Sequence, residues 1–242
     1  MAEWKAIRGA RASAEVVDQI RDAFFGGLGP GDWLGTETEL ADRFGVSRIT
    51  MRDAVRALEA RGMVDVRVGA HGGLRVANSD PDRYIEALAI QLHLMGVNWD
   101  EIVEAQRAIE PVTAGLAATR ATRAQITALR ELVEQSRTAL ADPVTFTELG
   151  LAFHLAVAEA SGNRVLHAAL RSLRTVQRTQ YTPNTSRERA QRVLRNHASI
   201  LDAIEGGDSE LASTRMTEHL LVVAKHRKGA GDADLCLAAP AS

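Results

Sequence analysis

Apolar positions fall into helical spacing from Val16 onward. Val16, Val17, Ile20, Ala23 and Phe24 share one face, and Ser13 is placed to cap the helix they predict. Residues 1–12 read as a loose arm. The run Gly26-Gly27-Leu28-Gly29-Pro30-Gly31 stops the helix, because that density of Gly and Pro is incompatible with one. Thr36-Glu37-Thr38-Glu39 is a capping box, with the Thr36 hydroxyl and the Glu39 carboxylate able to satisfy each other's amides. It starts a short helix with Leu40, Ala41 and Phe44 inward, and Gly45 ends it. Ser47 caps the next helix, which runs to about Arg61, with Gly62 as its stop and Ile49, Val55 and Leu58 as its apolar packing. Two short helices across a tight Gly turn form the helix-turn-helix pattern. The alternating run Met63-Val64-Asp65-Val66-Arg67-Val68, the glycine-rich Gly69-Ala70-His71-Gly72-Gly73 and then Leu74-Arg75-Val76 predict a hairpin. A hairpin directly behind the second helix is a wing.

The polar stretch Asn78-Ser79-Asp80-Pro81-Asp82 marks a boundary, since its proline disfavours helix at the residue before it. Everything beyond reads as helix, over residues 82–95, 98–120, 122–140, 143–161, 164–181, 187–205 and 208–227. Breaks fall at Gly96, Asp142-Pro143, Ser161-Gly162-Asn163, Thr182-Pro183-Asn184 and Gly206-Gly207-Asp208. The expected fold is mainly α: a winged helix-turn-helix with a small β-hairpin over 1–78, a linker over 79–82, and an all-α bundle over 83–228. A small, polar tail over 229–242 is expected to be disordered.

Charge sharpens the first part. The chain of 242 residues carries a formal net charge of −2, so it is not basic as a whole. Between Arg43 and Val76, however, seven arginines stand against Asp53, Glu59 and Asp65. Positive charge is concentrated on the helix-turn-helix and wing, where a duplex would use it. Arg48, Thr50 and Arg52 lie in the first turn and a half of the second helix, the part that enters a major groove. Arginine can bond guanine edges bidentately, and threonine can meet a phosphate or a thymine methyl. The Ser47 hydroxyl and the helix N-terminus suit a phosphate. The competing reading of the arginines as a solvated face is less consistent with the capped turn and wing around them.

Composition adds limits. The single cysteine, Cys236, excludes a disulfide within one chain and any cysteine-based zinc site, and fits a reducing cytoplasm. The first residues lack a signal-peptide core, and no run is apolar enough to span a membrane. A cytoplasmic location is expected.

These motifs resemble the GntR-type winged-helix regulators. The family pattern stands here as Leu28-Gly29-Pro30-Gly31, Glu39-Leu40-Ala41, Val46-Ser47-Arg48-Ile49-Thr50-Met51-Arg52-Asp53-Ala54-Val55, Leu58, Gly62 and the wing glycines. It covers about residues 13–77. The resemblance implies double-stranded DNA contacts from Ser47, Arg48, Thr50, Arg52, Gly69 and His71. Family members often carry a basic residue where Thr38 stands, so one contact is expected to be missing. The remainder resembles the FadR-like helical domain of the same family, of the FCD type, through Arg107-Ala108-Ile109-Glu110, Ala114 to Ala118, Phe153-His154 to Ala160-Ser161-Gly162-Asn163, Asn196-His197 to Ile204, and Met216 to Leu220. That match spans about residues 83–227.

In many such domains one Asp and three His bind a divalent metal. The histidines correspond to His154, His197 and His219, on three separate predicted helices that a bundle can bring together. Three imidazoles form an open site suited to Zn²⁺ or Ni²⁺. The Asp position, one turn before the first His, holds Gly150, and Glu148 faces another side of its helix. Metal affinity is therefore expected to be low or dependent on a ligand. Arg107 is either a contact for a carboxylate effector or an ion-pair partner of Glu104 or Glu110. His93 and His167 read as hydrogen-bonded core residues, and Arg171, Arg174 and Arg178 as a solvated face.

The expected function is a homodimeric regulator that binds palindromic operator DNA and responds to a small carboxylic acid. A metal-responsive regulator is the alternative. A metal-dependent enzyme on the three histidines ranks below both, because no general base or nucleophilic triad accompanies them; a non-enzymatic protein is expected.

Overall fold

The computed structural model describes residues 9–69, 72–180 and 186–228. Its contacts divide the chain between Pro81 and Asp82 into two compact units. His71 and the tail beyond 228 lie outside the described residues.

In the first unit α1 (Gly9–Phe25) begins before Ser13, so part of the expected loose arm is helical. Ala10, Arg11 and Ala12 are strong helix formers and extend it by a turn. The helix buries Val16, Val17 and Ile20. A short strand β1 (Trp33–Gly35) follows. It escaped the sequence pattern because three residues are too few to show alternation. Next comes α2 (Glu37–Phe44), whose capping box is formed: the Glu39 amide donates to Thr36 Oγ1 at 3.2 Å and the Thr36 amide to Glu39 Oε2 at 2.8 Å. Gly45 then adopts φ 63°, a left-handed turn that glycine takes without a side-chain penalty. In α3 (Arg48–Ala60), Met51, Ala54, Val55 and Leu58 are buried at i, i+3, i+4 and i+7. They pack with the buried face of α1 and with Leu40 and Ala41.

The strands β2 (Val64–Arg67) and β3 (Gly73–Val76) pair antiparallel, Val64 opposite Val76 and Arg67 opposite Gly73. β1 adds to the other edge of β3, so the expected hairpin is the larger part of a three-stranded sheet ordered β1-β3-β2. Gly73 is the hinge of this arrangement. Its φ is +139°, and a Cβ there would stand 2.8 Å from Trp33 Nε1 and 2.9 Å from the Gly35 carbonyl oxygen. Only glycine lets β1 approach that closely.

Among the described residues the second unit's regular elements are all helices: α4 (Pro81–Leu94), α5 (Trp99–Arg120), α6 (Arg123–Thr138), α7 (Pro143–Ala160), α8 (Arg164–Gln180), α9 (Arg187–Glu205) and α10 (Ser209–Lys228). Each start has a local cause. Asn98 and Thr122 form capping boxes, and Asp142 caps α7 with Pro143 in its first turn. Ala114, Ala117, Leu129, Phe153, Val157, Ile200, Ile204 and Met216 join α5, α6, α7, α9 and α10 in one core. A smaller cluster of Ala89, Ile102 and Val176 ties α4 and α8 to α5. α10 runs close along α5 at Gly115, where a Cβ would lie 3.1 Å from the Ser209 carbonyl oxygen.

Candidate functional site

The N-terminus of α3 presents Ser47, Arg48, Ile49 and Arg52 to solvent, with Thr50 half-buried. Ser47 Oγ accepts from the Thr50 amide at 3.1 Å and lies 2.8 Å from Thr50 Oγ1, which fixes both hydroxyls at the helix end. Arg52 Nε stands 3.6 Å from Glu37 Oε2 on the surface, an ion pair weak enough to yield to a phosphate or base. Arg43, Arg56, Arg61 and Arg67 are exposed as well. Arg75, by contrast, donates to the Gly31 carbonyl at 3.0 Å and helps fasten the strand. Gly69 sits exposed at the wing tip beside Val68, whose side chain is wholly in solvent. One expectation is overturned. Ile49 does not pack inside with Val55 and Leu58; it is 75% exposed, and Met51 and Ala54 occupy the inward positions instead.

In the helical unit α7, α9 and α10 bring His154, His197 and His219 together, all buried. Nε2 of His219 lies 3.3 Å from Nε2 of His197 and 3.2 Å from Nε2 of His154. Phe153 stacks on His197 with ring centroids 4.4 Å apart and holds that ring in place. A Cβ at Gly150 would stand 3.6 Å from His197 Cε1, so position 150 faces the cluster and has room for a side chain. Glu148 is exposed.

The residues fit a metal. Nitrogens each about 2.0–2.1 Å from one cation lie about 3.0–3.4 Å from one another; the two Nε2 spacings made by His219 fall in that range, and all three ring nitrogens lie within 4.8 Å of one another. Proton bookkeeping leads to the same place. His219 Nε2 faces two other ring nitrogens, and a single ring N–H cannot serve both well. One cation would accept all three lone pairs.

The surroundings prepare those lone pairs. Glu110 on α5 is buried, and its Oε2 contacts His154 Nδ1 directly. A carboxylate there holds the proton on Nδ1 and leaves Nε2 bare, the usual support of a metal-binding histidine. The other Glu110 oxygen accepts from Arg174 Nη2 at 3.0 Å. Arg174 Nη1 donates to Gln177 Oε1 at 2.9 Å, and Gln106 Nε2 donates to the same oxygen at 3.3 Å. The Arg174 Nε has no hydrogen-bond partner. Burial alone would raise the Glu110 pKa, but its contacts with His154 and with the Arg174 guanidinium overcome it and hold the carboxyl near 2. Burial, reinforced by His154 and opposed by Glu110, lowers His219 to about 3. Burial and the neighbouring rings push His197 well below its usual value. These two imidazoles are thus neutral near pH 7, as ligands must be.

Arg174 corrects the solvated-face reading, for it is only 6% exposed. Arg171 is half-buried and pairs with Asp82. The sequence carried a signal for the network in Gln106, Glu110 and Thr113, polar residues at the i, i+4 and i+7 positions of a helix that must bury that face. Glu110 pairs with Arg174 and His154, not with Arg107. Arg107 is exposed and lines an outer groove of about 330 Å³ with Glu104, Ala108, Pro111, Thr217 and Leu220. The histidines do not border that groove.

Known proteins resemble both units. Residues 12–72 match the model of the bacterial regulatory proteins of the gntR family, and residues 101–221 match the FCD domain. The HTH-type transcriptional regulator LutR of Bacillus subtilis is 29% identical over 204 residues, covering 81% of this chain and 91% of that one. The putative L-lactate dehydrogenase operon regulatory protein of Escherichia coli is 33% identical over 226 residues, covering 88% and 85%. The solved Streptococcus agalactiae GntR structure superposes with a TM-score of 0.61 at 24% identity, over 88% of this chain and 99% of that one, and so shares the fold. Among the described residues no helix is long and apolar enough to cross a membrane. The chain belongs to the gntR family of bacterial regulators with a C-terminal FCD domain, and is a sequence-specific DNA-binding transcription regulator rather than an enzyme.

Proposed function

We propose that this regulator acts in the cytoplasm as a homodimer whose operator affinity is set by a small carboxylic acid held, with a divalent metal, at the histidine cluster. The convergence of three ring nitrogens at 3.2 and 3.3 Å, with an empty side-chain position at Gly150 facing them, carries this reading. Three imidazoles leave coordination positions open, and no protein carboxylate is aimed at the Nε2 side among the described residues. An external carboxylate is the anion of matching charge and size. The chain's own residues then have separate tasks. His154, His197 and His219 hold the ion, Glu110 orients His154, and Arg174 keeps Glu110 ionised. The bound metal would supply a Lewis-acidic contact for the carboxylate. The relative named for an L-lactate dehydrogenase operon makes a 2-hydroxy acid a reasonable first candidate.

On the DNA side Ser47 and Thr50 hold phosphates, Arg48 and Arg52 read bases, and Gly69 with His71 lets the wing approach the backbone. Two copies related by a two-fold axis read the two halves of a palindrome. The acid alters operator binding only if it binds the DNA-competent and DNA-incompetent forms unequally.

Zn²⁺ titration against a chromophoric chelator tests the site. One ion per chain should bind the wild type, His154→Ala should bind none, and L-lactate should change operator affinity in a gel-shift assay. Equal chelator curves for the two proteins would remove the metal from this proposal. Arg107→Ala should leave the titration unaltered, because a ligand in its outer groove does not meet the histidines.

A further inference from the structure

The overturned position of Ile49 has a use. Along α3 the buried residues Met51, Ala54, Val55 and Leu58 define one face, and Ile49, Arg52, Asp53 and Arg56 form an exposed stripe at i, i+3, i+4 and i+7 on the other. Ile49 is the only apolar member of that stripe and is three-quarters exposed, two residues from the Ser47 cap. A surface isoleucine costs nothing by itself. Its neighbours decide what it can meet. A protein surface that covered Ile49 would also have to desolvate Arg52 and Arg56. A DNA duplex presents phosphates to those cations, and the floor of its major groove carries one prominent apolar group, the thymine 5-methyl. Asp53, the acidic member, is repelled by phosphates but can accept from a cytosine amino group on the same groove floor.

We infer that Ile49 is a specificity-determining residue that recognises the 5-methyl group of a thymine in the operator. This rests on the reading of α3 as the DNA-reading helix. Arg48 and Arg52 supply the hydrogen bonds and most of the affinity, whereas Ile49 adds a preference at one base pair. Burying one methyl group is worth about a fourfold change in affinity.

The test uses the full chain and a duplex selected by it from a random DNA pool. Each thymine of that duplex is replaced in turn by deoxyuridine, which differs only by lacking the methyl. At one position per half-site the replacement should weaken wild-type binding about fourfold, while Ile49→Ala should bind both duplexes equally and Ile49→Val should retain most of the difference. Because Ile49 is exposed, neither variant should lose helix by circular dichroism. Indifference of the wild type to every replacement, or an unchanged thymine-to-deoxyuridine ratio in Ile49→Ala, would overturn the inference while leaving α3 as the reader. Full binding by the double variant Arg48→Ala, Arg52→Ala would overturn both.

Discussion

Gly150 decides more about the histidine cluster than any ligand does. It sits inside α7, where glycine costs roughly 1 kcal/mol relative to alanine, and a side chain there would meet His197 at ordinary contact distance. Gly150→Asp should restore an anionic ligand, tighten Zn²⁺ at least tenfold in the chelator competition, and remove any dependence on added carboxylate. Gly150→Ala should raise thermal stability without tightening the metal, which separates helix propensity from ligation. Glu110 makes the opposite case. Glu110→Ala leaves Arg174 buried without its counter-charge, and loss of one partner of a buried pair costs roughly 3–5 kcal/mol. Urea denaturation should show that loss; a change below 1 kcal/mol would mean that water replaces the carboxylate. The histidines were legible because their residue type and order are distinctive. Arg174 was not, because an arginine at i, i+3 and i+7 spacing with two others looks the same whether its face meets water or a buried glutamate on another helix.

At the scale of elements, the sequence was most readable where local chemistry makes the boundary. The boxes at Thr36, Asn98 and Thr122, the Ser47 cap and the Asp142-Pro143 start all form as their residue types dictate. What escaped was set at longer range. β1 exists because β3 offers it an edge, and α3 turned Ile49 outward because Met51, Ala54, Val55 and Leu58 take the face that meets the core. Gly73→Ala should damage the sheet: its φ of +139° and the close Gly35 carbonyl leave no place for a methyl group. We expect a lower midpoint for unfolding of the first unit and weaker operator binding, with Zn²⁺ uptake unchanged.

For the whole molecule, control of DNA binding by a ligand is a linkage between two equilibria. If L-lactate with Zn²⁺ weakens operator binding by some factor, saturating operator must weaken L-lactate binding by the same factor. Calorimetric titration of L-lactate into the Zn²⁺-loaded protein, with and without operator duplex, measures this directly. Unequal factors would mean that a further bound state takes part. A ligand with equal affinity for the free and DNA-bound protein would have no regulatory effect, however tightly it bound.

The position of Trp33 gives such experiments an optical handle. Its indole is half exposed on β1, beside Gly73 at the base of the wing. Trp99 stands in the first turn of α5, within the other unit. With Trp4 replaced by phenylalanine, the remaining two tryptophans divide the fluorescence between the units, one each. Trp33→Phe should then silence the response to duplex, and Trp99→Phe should leave it intact, so that emission alone tells which half of the chain a given molecule has engaged.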